Sequence, residues 1–224
     1  MKKRLMRSAA MLLAVLTALC LLCACAREGS PFDSDKPEDK IPAADDPAFK
    51  AGIWTASING IEDAYFYFNA GEMSGQRISL YSGMGVGFDY EREIPEKAVF
   101  NFGASDVTDD CAVTVTGENH MTLAFADAVY EMEYLTDDMD YKWYSNEELE
   151  QMSLKYYAAN NDGYIPGCCG SAINEDGSVS IQLYDRLEDH NSTAAWYTID
   201  RHTAAGKEDS LEGTVDLSPF AADR

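Results

Sequence analysis

Gly52-Ile53-Trp54-Thr55-Ala56-Ser57-Ile58-Asn59-Gly60-Ile61-Glu62-Asp63-Ala64-Tyr65-Phe66-Tyr67-Phe68 alternates apolar and other side chains on either side of a single turn. Alternate residues of an extended chain lie on the same face. Trp54, Ala56 and Ile58 therefore share one face of a first strand. Phe66 and Phe68 share one face of a second, with Tyr65 and Tyr67 opposite, and Asn59-Gly60 supplies the turn. The same period continues outward through Ile78 and Leu80; Val86, Phe88 and Tyr90; Phe100 and Phe102; Cys111, Val113 and Val115; Met121, Leu123 and Phe125; and Tyr130, Met132 and Tyr134. Gly71, Gly83, Gly103 and Gly117-Glu118-Asn119 punctuate these runs. Such strands predict an antiparallel meander over 51–135, closed as a barrel or folded as a sandwich. Gly85 and Gly87 mark a bend inside the fourth strand.

Gly52-Ile53-Trp54 opens the first strand, and eight strands in up-and-down order follow it. In this, residues 52–135 resemble the lipocalin and wider calycin group, whose first strand carries Gly-x-Trp. The resemblance implies a small eight-stranded antiparallel up-and-down barrel and, as one reading, carriage of a small apolar ligand within it. The group also covers that Trp with an Arg near the last strand, whereas residues 129–135 are Val-Tyr-Glu-Met-Glu-Tyr-Leu. Strand parity assigns Trp54, Phe66, Phe68, Leu80, Phe88, Phe100, Phe102, Val113, Leu123, Phe125, Met132 and Tyr134 to the interior. Aromatic side chains bury about 150–250 Å² each, so the barrel should be filled and not hollow, with binding on its outside or across the two modules.

Residues 136–145 read as a polar-aromatic connector to an α+β tail at 146–224. Ser145-Asn146-Glu147-Glu148 is a capping box, and Leu149, Met152 and Tyr156 follow at helical spacing, predicting a helix over about 146–159. Asn160-Asn161-Asp162-Gly163 stops it. Strands are expected at Val179–Leu183, Ala195–Ile199 and Gly213–Leu217. The tail resembles a module at the carboxyl end of lipoproteins from gut-dwelling Gram-positive bacteria, through Tyr156-Tyr157, Asp176-Gly177, Leu183-Tyr184-Asp185, Asp189-His190 and Thr193 to Thr203. That resemblance implies a setting and no activity.

The amino terminus supplies the setting independently. Lys2, Lys3, Arg4 and Arg7 precede an apolar core from Ala9 to Leu22, the layout of a secretory signal. That core is short for a bilayer, which needs ~20 residues. Leu22-Cys23-Ala24-Cys25 resembles the bacterial lipoprotein signal, with Cys23 where the family prefers Ala, Ser or Thr. The resemblance implies removal of residues 1–24 and acylation of Cys25, holding the chain on the outer face of the bacterial cell membrane; ordinary cleavage near Ala24 or Ala26 is the rival. Pro31, Pro37, Pro42 and Pro47 lie among charged and small residues, so 25–50 reads as a disordered tether. Loss of the leader takes 17 basic residues to 13 against 39 acidic ones, and the net charge from −22 to −26. Nucleic acid and anionic lipid heads are disfavoured partners.

Few residues carry chemistry. Asp106 to Asp110 and Asp137 to Asp140 lack the spacing of a calcium loop. Cys111, Cys168 and Cys169 have no Cys-x-x-Cys or nearby His to hold zinc. Cys111 shares the parity of Val113 and Val115, as a buried free thiol would; Cys168-Cys169 is open to a bridge between its own members or to Cys111. Asp189-His190-Asn191-Ser192 contains the types of a Ser/His hydrolase, with Ser192 as nucleophile and His190 as base, but lacks the Gly-x-Ser-x-Gly elbow, and these residues also make turns. No cofactor is implied. Tyr65, Tyr67, Tyr141, Trp143 and Tyr144 are the candidate surface contacts for an extracellular protein or carbohydrate. The expectation is a non-catalytic binding module.

Overall fold

The computed structural model describes residues 49–103, 106–209 and 213–222. The leader, Cys25 and residues 25–48 of the expected tether lie outside the described residues.

All eight expected strands form. They are β1 (Gly52–Ile58), β2 (Ile61–Phe68), β3 (Ser74–Ser79), β4 (Gly85–Ile94), β5 (Lys97–Phe102), β6 (Asp109–Gly117), β7 (His120–Ala124) and β8 (Val129–Thr136). Each pairs antiparallel with the next, and β1 pairs with β8, Trp54 opposite Tyr134, so the sheet closes into a barrel. Closure removes every edge strand. Gly52 opens β1 at φ 128°, with a Cβ position only 2.4 Å from the Thr136 carbonyl oxygen. The closing strands meet there too closely for a side chain.

Rings fill the barrel. Phe66, Phe68, Phe88 and Phe100 are buried, and Phe88 touches Phe66, Phe68, Phe100 and Phe102 with ring centroids 5.3–5.9 Å apart. Gly75 makes this possible, because a Cβ there would sit 2.5 Å from the Phe88 ring and 2.1 Å from the Tyr67 carbonyl oxygen. Cys111 is a buried free thiol, as its parity predicts, and burial pushes its pKa up to about 12.

Two expectations about this interior are corrected. Leu80 is buried, but outside the barrel. On β3 the residues opposite Phe68 and Phe66 are Gly75 and Arg77, so its inward face is Gly75, Arg77 and Ser79. Arg77 lies 5.5 Å from the centre of the Tyr130 ring. The apolar residues of this strand face outward because the tail covers them. The tether boundary also moves: Phe49 is a core residue, stacked on Phe68 at 4.9 Å and tilted on Tyr90 at 4.8 Å, with the Arg92 guanidinium 4.8 Å from its ring centre. The Trp54 indole donates to the Lys50 carbonyl at 2.8 Å, and the Lys50 ammonium sits 3.7 Å above Tyr134. The chain entering β1 thus closes this end of the barrel.

The tail is one helix on a five-stranded sheet among the described residues. Helix α1 (Asn146–Asn160) begins at the expected capping box, Ser145 Oγ accepting from the Glu148 N–H at 3.2 Å and Glu148 accepting from the Ser145 N–H at 2.8 Å. The sheet runs β13-β12-β11-β10-β9, with β9 (Cys168–Ile173), β10 (Val179–Arg186), β11 (Asn191–Asp200), β12 (Ala205–Glu208) and β13 (Thr214–Asp216). The strands β9 and β12 add to the three expected. Leu149 and Met152 pack on Val179, Ile181, Leu183, Tyr197 and Ile199. Barrel and tail belong to one compact unit.

Candidate functional site

Residues 137–145 leave the end of β8 and cross the outer face of the barrel as a strap. The acidic cluster at its start is turn chemistry: Asp138 Oδ1 accepts from the Asp140 N–H at 3.0 Å, and Thr136 Oγ1 accepts from the Asp138 N–H at 3.0 Å. Beyond it, Trp143 lies edge-on against Tyr65 at 5.1 Å and donates its indole N–H to Tyr67 Oη at 3.0 Å. Ile53, Tyr65, Leu80 and Trp143 form a third buried cluster, with Tyr67, Ile78, Tyr141 and Ile173 packed on it.

The strap is fastened to both modules. The Tyr144 N–H donates to the Arg201 carbonyl at 2.9 Å, while the Asn146 and Glu147 N–H groups donate to the Leu80 and Tyr81 carbonyls at 2.9 and 3.0 Å. The Arg201 side chain is buried and reaches the Leu80 carbonyl at 3.4 Å and Asn146 Oδ1 at 3.1 Å. Burial lowers its pKa, against the opposing pull of Tyr65, Glu62 and Asp200. Burial likewise raises the Tyr65 hydroxyl far above its ordinary value, helped by Glu62.

The joint leaves a groove of about 1100 Å³ between β3, the strap, α1 and residues 220–222. Tyr67, Tyr141, Trp143 and Tyr144 line its aromatic side, and Glu147, Gln151 and Lys155 its helical side. Four successive helical residues rise about 6 Å, so these three form one polar stripe. Lys155 Nζ reaches the Phe220 carbonyl at 3.4 Å and borders the groove there.

Of the five candidate surface aromatics, the structure brings Tyr67, Tyr141, Trp143 and Tyr144 to one groove and removes Tyr65. Tyr65 is 1% exposed and Trp143 8%, so neither is an exposed platform. Tyr65 does face out of the barrel, as parity predicts, but the strap then covers it. Gln151 and Arg201 carry no signal in the sequence: one is an unremarkable helix position, and the other meets Leu80, which parity assigns to the barrel interior, only through the fold.

The remaining candidates resolve into local structure. His190 Nδ1 lies 2.6 Å from Asp189 Oδ1, both exposed, and the Leu187 N–H donates to the His190 carbonyl, so 187–190 is the β10–β11 turn. Ser192 stands opposite Asp185 in that ladder, and Asp185 accepts from the Tyr164 hydroxyl and the Gly167 N–H. Cys168 and Cys169 are free thiols on successive positions of β9, opposite Tyr184 and Leu183. Successive residues of a strand point to opposite faces, which holds these two thiols apart. Burial and Glu150 push Cys169 up to about 12. Among the described residues there is no group of three or more His, Cys, Asp or Glu placed to hold a metal, and no helix long and apolar enough to cross a membrane.

Comparison with protein-family models, with curated proteins and with solved structures finds no match to this chain.

Proposed function

We propose that this protein is a non-catalytic extracellular binding module, held on the outer face of the bacterial cell membrane by acylation of Cys25, and that its contact site is the groove between barrel and tail. The carrying observation is that Tyr67, Tyr141, Trp143 and Tyr144, outward-facing or on the connector, converge on one concave surface opposite Gln151. Clefts with aromatic walls and a few placed polar groups are where ligands bind. The lipocalin-like topology is the frame of this reading, supported by Gly52 and Trp54 at the start of β1 and by the strand order. The ring-filled interior weighs against the alternative, carriage of an apolar ligand inside the barrel.

The anchor and the groove are tested separately. Replacing Cys25 by Ala should release the chain into the medium or leave an uncleaved precursor, and a mature chain with unmodified Cys25 by mass spectrometry would refute acylation. Labelled mature chain should bind intact cells, and Gln151→Trp, which fills the groove from an exposed position, should abolish that binding with an unchanged melting temperature. Binding that survives Gln151→Trp places the contact elsewhere.

A further inference from the structure

The groove's lining narrows its occupant. We propose that it takes an uncharged oligosaccharide, laid with its apolar ring faces on the tyrosine side and its hydroxyls toward the helical stripe; this rests on the groove being the contact site.

Three observations point there. First, two walls of the groove offer a ligand side chains and no free backbone edge. The barrel is closed, so the β3 wall has no free edge, and the first turn of α1 is capped by Ser145 and Glu148. A peptide that binds by strand addition gains its affinity largely from main-chain hydrogen bonds to an exposed edge, and the barrel wall presents none. A saccharide asks for hydroxyl partners instead, which Glu147 and Gln151 present from exposed helical positions.

Second, the aromatic side is held in place before any ligand arrives. Tyr67 accepts from the Trp143 indole at 3.0 Å, and Tyr141 lies tilted against His202 with ring centroids 5.0 Å apart. Rigid Tyr and Trp side chains supply contact area at low entropic cost. The face of a sugar ring carries C–H groups with partial positive charge, which suit the negative face of an aromatic ring.

Third, the lining charges nearly cancel. Asp140, Glu147 and Glu148 stand against Lys142 and Lys155, a net of −1 among these residues, so the groove has no positive patch to draw an anionic chain. The whole chain carries −22 and repels an anionic glycan at long range.

The three tryptophans, Trp54, Trp143 and Trp196, allow a direct test, because each reports on a different place. Trp54 lies in the barrel core, Trp143 on the groove wall, and Trp196 is 41% exposed on β11. The full mature chain is titrated with cellohexaose, maltohexaose and chitohexaose to about 10 mM, the range of weak single-site binding, while the indole N–H signals are followed by NMR. The expected result is a saturable shift of Trp143 alone with at least one of these sugars. Gln151→Ala should weaken it about fivefold, the loss of one hydrogen bond, without moving the melting temperature. A blocked Gly/Ser/Lys decapeptide and a hexagalacturonate serve as competitors in class. A Trp143 shift with the peptide and none with the sugars overturns the saccharide while leaving the groove as the contact site. Equal affinity for the hexagalacturonate overturns the requirement for an uncharged chain. A shift confined to Trp196 overturns both the saccharide in the groove and the groove itself. No shift with any of the three sugars overturns the inference.

Discussion

The Trp143 indole N–H donates to Tyr67 Oη at 3.0 Å, joining positions 76 residues apart. This bond holds the strap on the barrel wall and keeps both rings on the groove. Tyr67→Phe removes only the acceptor oxygen and should cost about 1 kcal/mol. Trp143→Ala also empties the space beside Tyr65 and should cost about 3–5 kcal/mol. Urea melts of the two single variants and the double variant check this, and strict additivity would show that the bond carries no coupling.

Arg201 should act as the clasp between the two modules. Its guanidinium serves Leu80 on the barrel side and Asn146 at the start of α1. Hydrogen bonds from charged donors are worth about 1.5–3 kcal/mol, so Arg201→Met should destabilise by about that amount. It should also split a single thermal transition into two, read by calorimetry. A single transition at an unchanged temperature would show that the strap alone joins the modules.

Leu183 is fully buried beneath α1, among Val179, Ile181 and Tyr197. Leu183→Ala should cost about 2–5 kcal/mol. A loss under about half a kcal/mol, the scale of an ordinary surface change, would contradict the placement of that face.

At Gly75 the Tyr67 carbonyl and the Phe88 ring leave no room for a methyl group. Gly75→Ala should cost about 1–3 kcal/mol as an overpacked site, measured by the urea midpoint, whereas Gly170→Ala, with open space around it, should be close to neutral.

Alkaline pH should loosen the fold. Cys111 and Cys169 are each raised by burial from 9.0 to about 12. Between those values the unfolded chain has lost protons that the folded chain retains, so stability falls as pH rises. Their contribution is complete below pH 9 and lost progressively from 9 towards 12. Denaturant midpoints from pH 7.5 to 11 test the slope, and a flat profile would contradict it. By the same burial, iodoacetamide at neutral pH should leave Cys111 unmodified until the protein is unfolded.

The ring-filled barrel predicts no saturable binding of a fluorescent fatty-acid analogue by the intact chain, since eight strands enclose only enough space for side chains or one small ligand. Saturable micromolar binding that Phe100→Trp abolishes would restore the carrier reading.

Much of this architecture was legible from local pattern. Alternation located all eight barrel strands, and Ser145 with Glu148 marked the start of α1, because side-chain period and capping depend on a few neighbouring residues. The two missed strands lack that signal: Cys168-Cys169-Gly170-Ser171-Ala172-Ile173 has no apolar alternation, and Ala205-Gly206-Lys207-Glu208 is four residues with one small apolar side chain.

Local pattern in the chain sets which residues alternate, where the turns fall and which helix end is capped. Which outward faces meet depends on contacts between distant segments. Ile78 and Leu80 follow a period-two pattern, but period alone does not say which side of β3 is the barrel's inside. The covering of that outer face by Trp143 and the Arg201 loop, distant in the chain, settles the matter. The same contact buries Tyr65 and leaves Tyr67, Tyr141 and Tyr144 around the groove. Periodicity is a property of one strand's backbone, whereas burial of its polar-looking side depends on a partner surface supplied from elsewhere in the chain.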